Sequence, residues 1–150
     1  MRISPATPQD IPALCELLDV LFSQETEFAP NHEAQSRGLA QIIGNPEIGH
    51  VLVARHDNKI VGMVGLLYTI STALGAKVAL LEDMVVTPSA RGSGVGSQLL
   101  ENAIEFARLN GCKRITLLTD GVNESAQRFY QRHGFVLSPM TPLRLPLDKK

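Results

Sequence analysis

Between Val78 and Leu109 the chain changes character twice. "VALLEDMVV" is a nearly continuous apolar run, the pattern of a strand in the middle of a sheet, interrupted by two acids and ended by Pro88. Gly92, Gly94 and Gly96 then alternate through "RGSGVG". "VGSQLLENAIEFARLNG" follows, with Val95, Leu99, Leu100, Ala103, Ile104, Phe106 and Ala107 on one helical stripe that Gly111 closes. A further apolar strand, "CKRITLLT", comes next. Strand, glycine turn, helix and strand form a crossover unit, which requires a parallel strand pair with a helix packed across it.

The rest of the chain builds outward from that unit. "RISPA" reads as a short strand, after which Thr7 offers an N-cap, with Pro8 at the first helical position and Asp10 in the first turn. Ile11, Leu14, Leu17, Leu18 and Leu21 have helical spacing, and a second helix is expected over Glu33 to Ile43. "HVLVARHDNKIVGMVGLLYTI" reads as two strands joined at Asp57-Asn58, a hairpin signal. "NESAQRFYQRHG" reads as a short helix, capped by Asn123 and stopped by Gly134. "FVLSPM" and "LRLPL" read as late strands whose prolines suit edges. The order βααβββαβαββ predicts an α/β (α+β mixed) fold: one domain over 1–150, with a central mixed sheet of about six to seven strands and helices on both faces.

Composition excludes several classes. Lys and Arg number 14 against 15 Asp and Glu, so a general nucleic-acid surface is disfavoured. No apolar run reaches membrane-spanning length, and "MRISPATPQD" lacks the apolar stretch of a signal peptide, so a cytoplasmic protein is expected. Cys15 and Cys112 form no metal-type spacing and read as reduced, buried thiols; no metal is expected.

The glycine loop carries the chemistry. A strand that turns through glycine into a helix N-terminus leaves unpaired amides pointing outward, where the helix dipole adds partial positive charge. Arg91 adds a bidentate donor suited to phosphate oxygens. The P-loop pattern GxxxxGK[ST] is absent. The dinucleotide fingerprint fails too, because Ser97 takes the third glycine's place and "TPSAR" intervenes after the strand.

"RGSGVG" resembles the Arg/Gln-x-x-Gly-x-Gly/Ala signature of the GNAT family of N-acetyltransferases. "LLEDMVVTPSARGSGVGSQLL" is similar to that family's central strand, loop and helix, and "NESAQRFYQRHGF" to its second motif. The resemblance implies an enzyme that moves an acetyl group from acetyl-CoA directly to a primary amine. It implies pyrophosphate binding at Arg91, Gly92, Ser93, Gly94, Val95, Gly96 and Ser97, and a pantetheine arm beside Met84, Val85 and Val86. A main-chain N–H near Met84 or Val85 would polarise the thioester carbonyl. Asn123 aligns with a CoA-contacting position, although a plain N-cap explains it equally.

Tyr130 aligns with the family's general acid, with Phe129 beside it as a core aromatic. Glu82 is the candidate base: burial in an apolar strand would raise its pKa, and Asp83 should point to the opposite face. A salt-bridged structural role for Glu82 is the competing reading. "LEDMVV" with "NESAQRFY" looks especially like the polyamine acetyltransferases. His32, in an irregular stretch, and His50, His56 and His133, near element ends, are read as non-catalytic. The resemblance places the acceptor near "FSQETEFAPNHE", where Glu25, Glu27 and Glu33 would attract a cationic amine and Phe22 and Phe28 could form an apolar wall. A non-catalytic acyl-CoA sensor is the alternative. Many relatives form homodimers, but no residue here fixes an interface.

Overall fold

The computed structural model describes residues 1–23 and 30–148. The chain gathers into two compact units, Met1–Leu118 and Thr119–Lys150.

The first unit contains β1 (Arg2–Pro5), α1 (Ile11–Ser23), α2 (His32–Ile43), β2 (Gly49–His56), β3 (Lys59–Ser71), β4 (Ala76–Val86), α3 (Val95–Leu109) and β5 (Ile115–Leu117). Its sheet has the order β1-β2-β3-β4-β5. The first four strands are antiparallel neighbours and β5 is parallel to β4, as the crossover through α3 demands. Asp57 and Asn58 both take positive φ, 51° and 65°, which is the turn that joins β2 to β3 with the right twist.

Strand alternation sends side chains to two cores. Leu14, Leu17 and Leu18 of α1 and Leu39 of α2 pack with Val51, Val53, Met63 and Val85 on one face. Gly62 lies on the other face, where an added Cβ would come 3.2 Å from Leu99 Cδ2 of α3. Leu99, Leu100 and Ala103 are fully buried there. Each buried leucine contributes about 2 kcal/mol. Helices therefore cover both faces of the mixed sheet, as expected.

The start of α1 is pinned electrostatically. A 3-10 turn over Pro8–Asp10 precedes it, and Asp10 Oδ2 accepts from the Thr7 N–H at 2.8 Å and from Arg55 Nη2 at 2.6 Å. Burial pushes the Asp10 carboxyl up, but the bonds from Arg55 and Thr7 and the Arg55 charge outweigh it and hold the group below its usual value. Asn31 caps α2, which starts at His32, so that histidine lies in a helix rather than in an irregular stretch.

The second unit contains α4 (Glu124–Arg132). Its C-terminus closes through Gly134 at φ 100°, with Phe135 N–H donating to the Tyr130 carbonyl at 3.2 Å. Among the described residues the sheet has five strands rather than six or seven, because "FVLSPM" and "LRLPL" form none. Pro139, Pro142 and Pro146 remove ladder donors, and Val136, Leu137, Leu143, Leu145 and Leu147 are all exposed. Strand β5 is also shorter than "CKRITLLT" suggested, since its register with β4 ends at Leu81–Leu117. Among the described residues no helix is long and apolar enough to cross a membrane.

Candidate active site

The glycine loop adopts the geometry that an anion site needs. Gly92 and Gly94 take φ of 82° and 87°, and an added Cβ at either would meet nothing within 4 Å. These glycines are therefore required by backbone conformation and not by crowding. Gly94 is the N-cap of α3 and supplies no side-chain cap. The first intrahelical bond there runs from the Gln98 N–H to the Gly94 carbonyl at 3.1 Å. Among the described residues, the amides of Gly92, Ser93, Gly94, Val95, Gly96 and Ser97 have no acceptor. Consecutive free N–H groups at the positive end of a 15-residue helix form a concentrated donor array. Val95 is buried and anchors the helix start, whereas Arg91, Gly92, Ser93 and Gly94 are exposed. Ser93 Oγ donates to the Ala90 carbonyl at 2.5 Å, and Arg91 Nε donates to the Val86 carbonyl at 3.3 Å. The guanidinium is thus tied to the end of β4 by one donor.

Strand β4 changes role partway along. From Ala79 to Leu81 it is paired on both sides, with β3 and with β5. Beyond Leu81 it pairs, among the described residues, with β3 alone, through Gly65–Glu82, Met63–Val85 and Gly62–Val86. The register with β3 shifts between Met63 and Gly65, so β4 carries an extra residue there. Asp83 lies in that bulge at φ 55°, a left-handed conformation that is uncommon for a residue with a side chain. Val85 is buried, and Met84 and Val86 are half-buried beside the one-sided edge.

Two expectations for this strand need correction. Glu82 is exposed rather than buried, because the sheet loses its β5 cover at that point. The alternation argument for Asp83 assumed a regular strand, and the bulge interrupts the period of two. The sequence reading missed the bulge itself, and the paired acids in an apolar run were its only trace.

In the second unit Asn123 is exposed and caps α4, its Oδ1 accepting from the Ala126 N–H at 3.0 Å. Tyr130 is half-buried, and burial pushes its phenol up to about 12. Its ring meets Phe129 at 5.2 Å and Phe135 at 5.7 Å, and its hydroxyl has no hydrogen-bond partner among the described residues. Phe129, expected in a core, is only half-buried, because α4 has no fully buried residue.

The histidines have local partners: His32 with Asp19, His50 with the Tyr68 hydroxyl at 2.7 Å, His56 with Asp57, and His133 with the Phe129 carbonyl. Of the acceptor segment, Glu25, Glu27 and Phe28 lie outside the described residues, and Glu33 pairs with Arg37 at 3.2 Å. Among the described residues no group of three or more His, Cys, Asp or Glu is placed to hold a metal ion.

Comparison with known proteins agrees with this geometry. The chain is 30% identical over 138 residues to an uncharacterized N-acetyltransferase, YhfO, of Bacillus subtilis, covering 90% of this chain and 89% of that one. It is 30% identical over 130 residues to the aminoalkylphosphonate N-acetyltransferase of Salmonella typhimurium, covering 87% and 81%. An integron cassette protein from the mobile metagenome of Cole Harbour Salt Marsh superposes with a TM-score of 0.85 at 26% identity, over 99% of this chain and 91% of that one. The profile of the acetyltransferase (GNAT) family matches residues 11–135. With the free-amide loop at the head of α3, these matches establish that the chain is an N-acetyltransferase of the GNAT family.

Proposed function

We propose that this enzyme transfers the acetyl group of acetyl-CoA directly to the primary amine of a small molecule, polyamine-like acceptors among them, with residues 1–150 acting as one catalytic domain. The observation that carries the proposal is the row of acceptor-free amides from Gly92 to Ser97 beside the one-sided edge of β4.

Acetyl-CoA supplies an acyl group already activated as a thioester. The amides of Gly92 to Ser97 and the side chain of Arg91 suit its pyrophosphate, because they offer many donors close together. Beyond Leu81 the β4 edge has no strand on one side, so Met84, Val85 and Val86 offer main-chain groups to an extended amide-bearing arm. A preset N–H at Met84 or Val85 stabilises charge that develops on the acetyl oxygen.

Glu82 accepts the proton that an ammonium acceptor must lose, directly or through water, and its exposure gives that proton a route to solvent. Tyr130 stays protonated throughout the working pH range, with its phenol at about 12. Complete proton transfer from such a phenol to a thiolate, with a thiol pKa near 8.5, is uphill by roughly 5 kcal/mol. Tyr130 therefore acts mainly as a hydrogen-bond donor to the departing sulfur, and the second proton that the nitrogen sheds as the amide forms passes through water to the thiolate, giving the free thiol of CoA. Asn123 keeps its amide nitrogen for the CoA while its oxygen caps α4. The near-balanced charge supports an enzyme without a general nucleic-acid partner, and a cytoplasmic location is part of the proposal. Homodimerisation is proposed by analogy with the family.

The test is thiol release from acetyl-CoA with a panel containing a simple alkylamine, spermidine, an aminoalkylphosphonate and a lysine peptide. Amine-dependent turnover greatest with a small amine supports the proposal. Acetyl-CoA binding without thiol release for any amine identifies a sensor instead, and turnover confined to the peptide overturns the acceptor class.

A further inference from the structure

The first unit has a cavity of about 500 Å³ outside the glycine loop, between the N-terminal half of α1 and the hairpin end of β2 and β3. That volume suits a small metabolite. None of Arg91 to Ser97 lines it. Ala13, Leu17, Val20 and Ile60 give it an apolar wall.

Its polar groups carry opposite signs. Arg55 lines it and donates to Asp10 through Nη2, with side-chain exposures of 20% and 10%. A guanidinium has five N–H donors. Arg55 uses one on Asp10, and its others have no acceptor among the described residues. Glu16 and Lys59 also line the cavity, are exposed, and have no ion-pair partner among the described residues. Thr87 contributes a buried hydroxyl, likewise without a partner.

The balance of these charges selects the ligand. Arg55 and Lys59 offset Asp10 and Glu16, so a simple anion would meet two acids and a simple cation two bases. A molecule with separated opposite charges satisfies both pairs. Asp10 Oδ2 already accepts from Thr7 and Arg55, which leaves Glu16 as the free carboxylate and Arg55 with Lys59 as the free donors. We infer that this cavity is a second binding site, for a free α-amino acid with an apolar side chain. The carboxylate is taken by Arg55 and Lys59, the ammonium by Glu16, and the side chain by Leu17, Val20 and Ile60. The inference is independent of the acetyl-transfer reading.

Calorimetric titration of the full chain with L-leucine tests it, with glycine, 4-methylpentanoate and isoamylamine as analogues that each lack one recognised group. Saturable binding of L-leucine is expected, with each analogue about tenfold weaker, equivalent to roughly 1.4 kcal/mol. Glu16→Gln and Lys59→Ala should each weaken L-leucine to a similar degree, and as exposed positions they should leave the melting temperature unchanged. Binding should persist when acetyl-CoA saturates the protein. No saturable binding of L-leucine, equal binding of the analogues, unchanged affinity in both variants, or displacement by acetyl-CoA would each overturn the proposal.

Discussion

Gly94→Ala isolates the contribution of the loop conformation. Gly94 has φ 87° and ψ 2°, and an added Cβ meets nothing within 4 Å, so the substitution introduces no clash. Its cost is conformational: holding alanine in the left-handed region takes about 1–2 kcal/mol. If the loop keeps its shape, that cost appears as stability, a fall in Tm of about 2–8 °C for a chain of this size. If the loop relaxes instead, the cap of α3 moves and the amides of Val95, Gly96 and Ser97 lose their common aim. One lost bond to a charged oxygen is worth about 1.5–3 kcal/mol, or roughly 10- to 100-fold in affinity. Calorimetry with acetyl-CoA and with S-acetylpantetheine, which lacks the pyrophosphate, separates these effects. The expected result is a loss confined to acetyl-CoA, alone or with a lowered Tm. Acetyl-CoA affinity and Tm that both stay unchanged would refute the conformational cost, and an affinity that falls equally with S-acetylpantetheine would refute the assignment of these amides to the diphosphate.

Tyr130→Phe should lower kcat by about 100-fold while KM for acetyl-CoA changes little. Because the phenol is at about 12, the wild-type rate should show no falling limb from Tyr130 below pH 10, which a pH–rate profile checks. Glu82→Gln should lower kcat/KM by about 100-fold for an ammonium acceptor; an unchanged kcat/KM would assign the base elsewhere. Asp10→Asn should cost about 2 kcal/mol at pH 7 in urea melts, since it strips Arg55 of its charged partner. The Asp10 carboxyl is held below its unfolded value, so its contribution is complete above about pH 4 and is lost as pH falls through the folded value. The gap between wild type and Asp10→Asn should therefore narrow as pH falls below the unfolded carboxyl value.

What could be read from the sequence follows from what local chemistry encodes. The Asp57-Asn58 turn, the α3 stripe, the Asn123 cap and the Gly111 and Gly134 stops are each decided by a few adjacent residues, and all are present. The donor loop was legible for the same reason, because Gly92 and Gly94 mark where left-handed backbone is needed. Strand pairing is a relation between distant segments, and there the reading erred. "FVLSPM" and "LRLPL" have strand-like composition, but prolines at 139, 142 and 146 interrupt their donors and no strand forms. Composition also suggested that Glu82 is buried, whereas its exposure depends on where β5 stops beside it.

If the end of β4 is the binding edge proposed above, the bulge at Asp83 accounts for one strand serving both as scaffold and as that edge. The extra residue increases the local twist and re-aims the strand. It falls where the β5 register ends at Leu81, and beyond it β4 is held through Val85 and Val86 by β3 alone. The ladder of Ala79 to Leu81 and the buried Val85 hold that end of β4 in place, and among the described residues no second strand pairs with it beyond Leu81. Aspartate is among the few side chains that tolerate positive φ, so the bulge needs no glycine and leaves little trace in the sequence. The strain at Asp83 thus falls at the boundary between the part of β4 that builds the fold and the part assigned here to the acyl carrier.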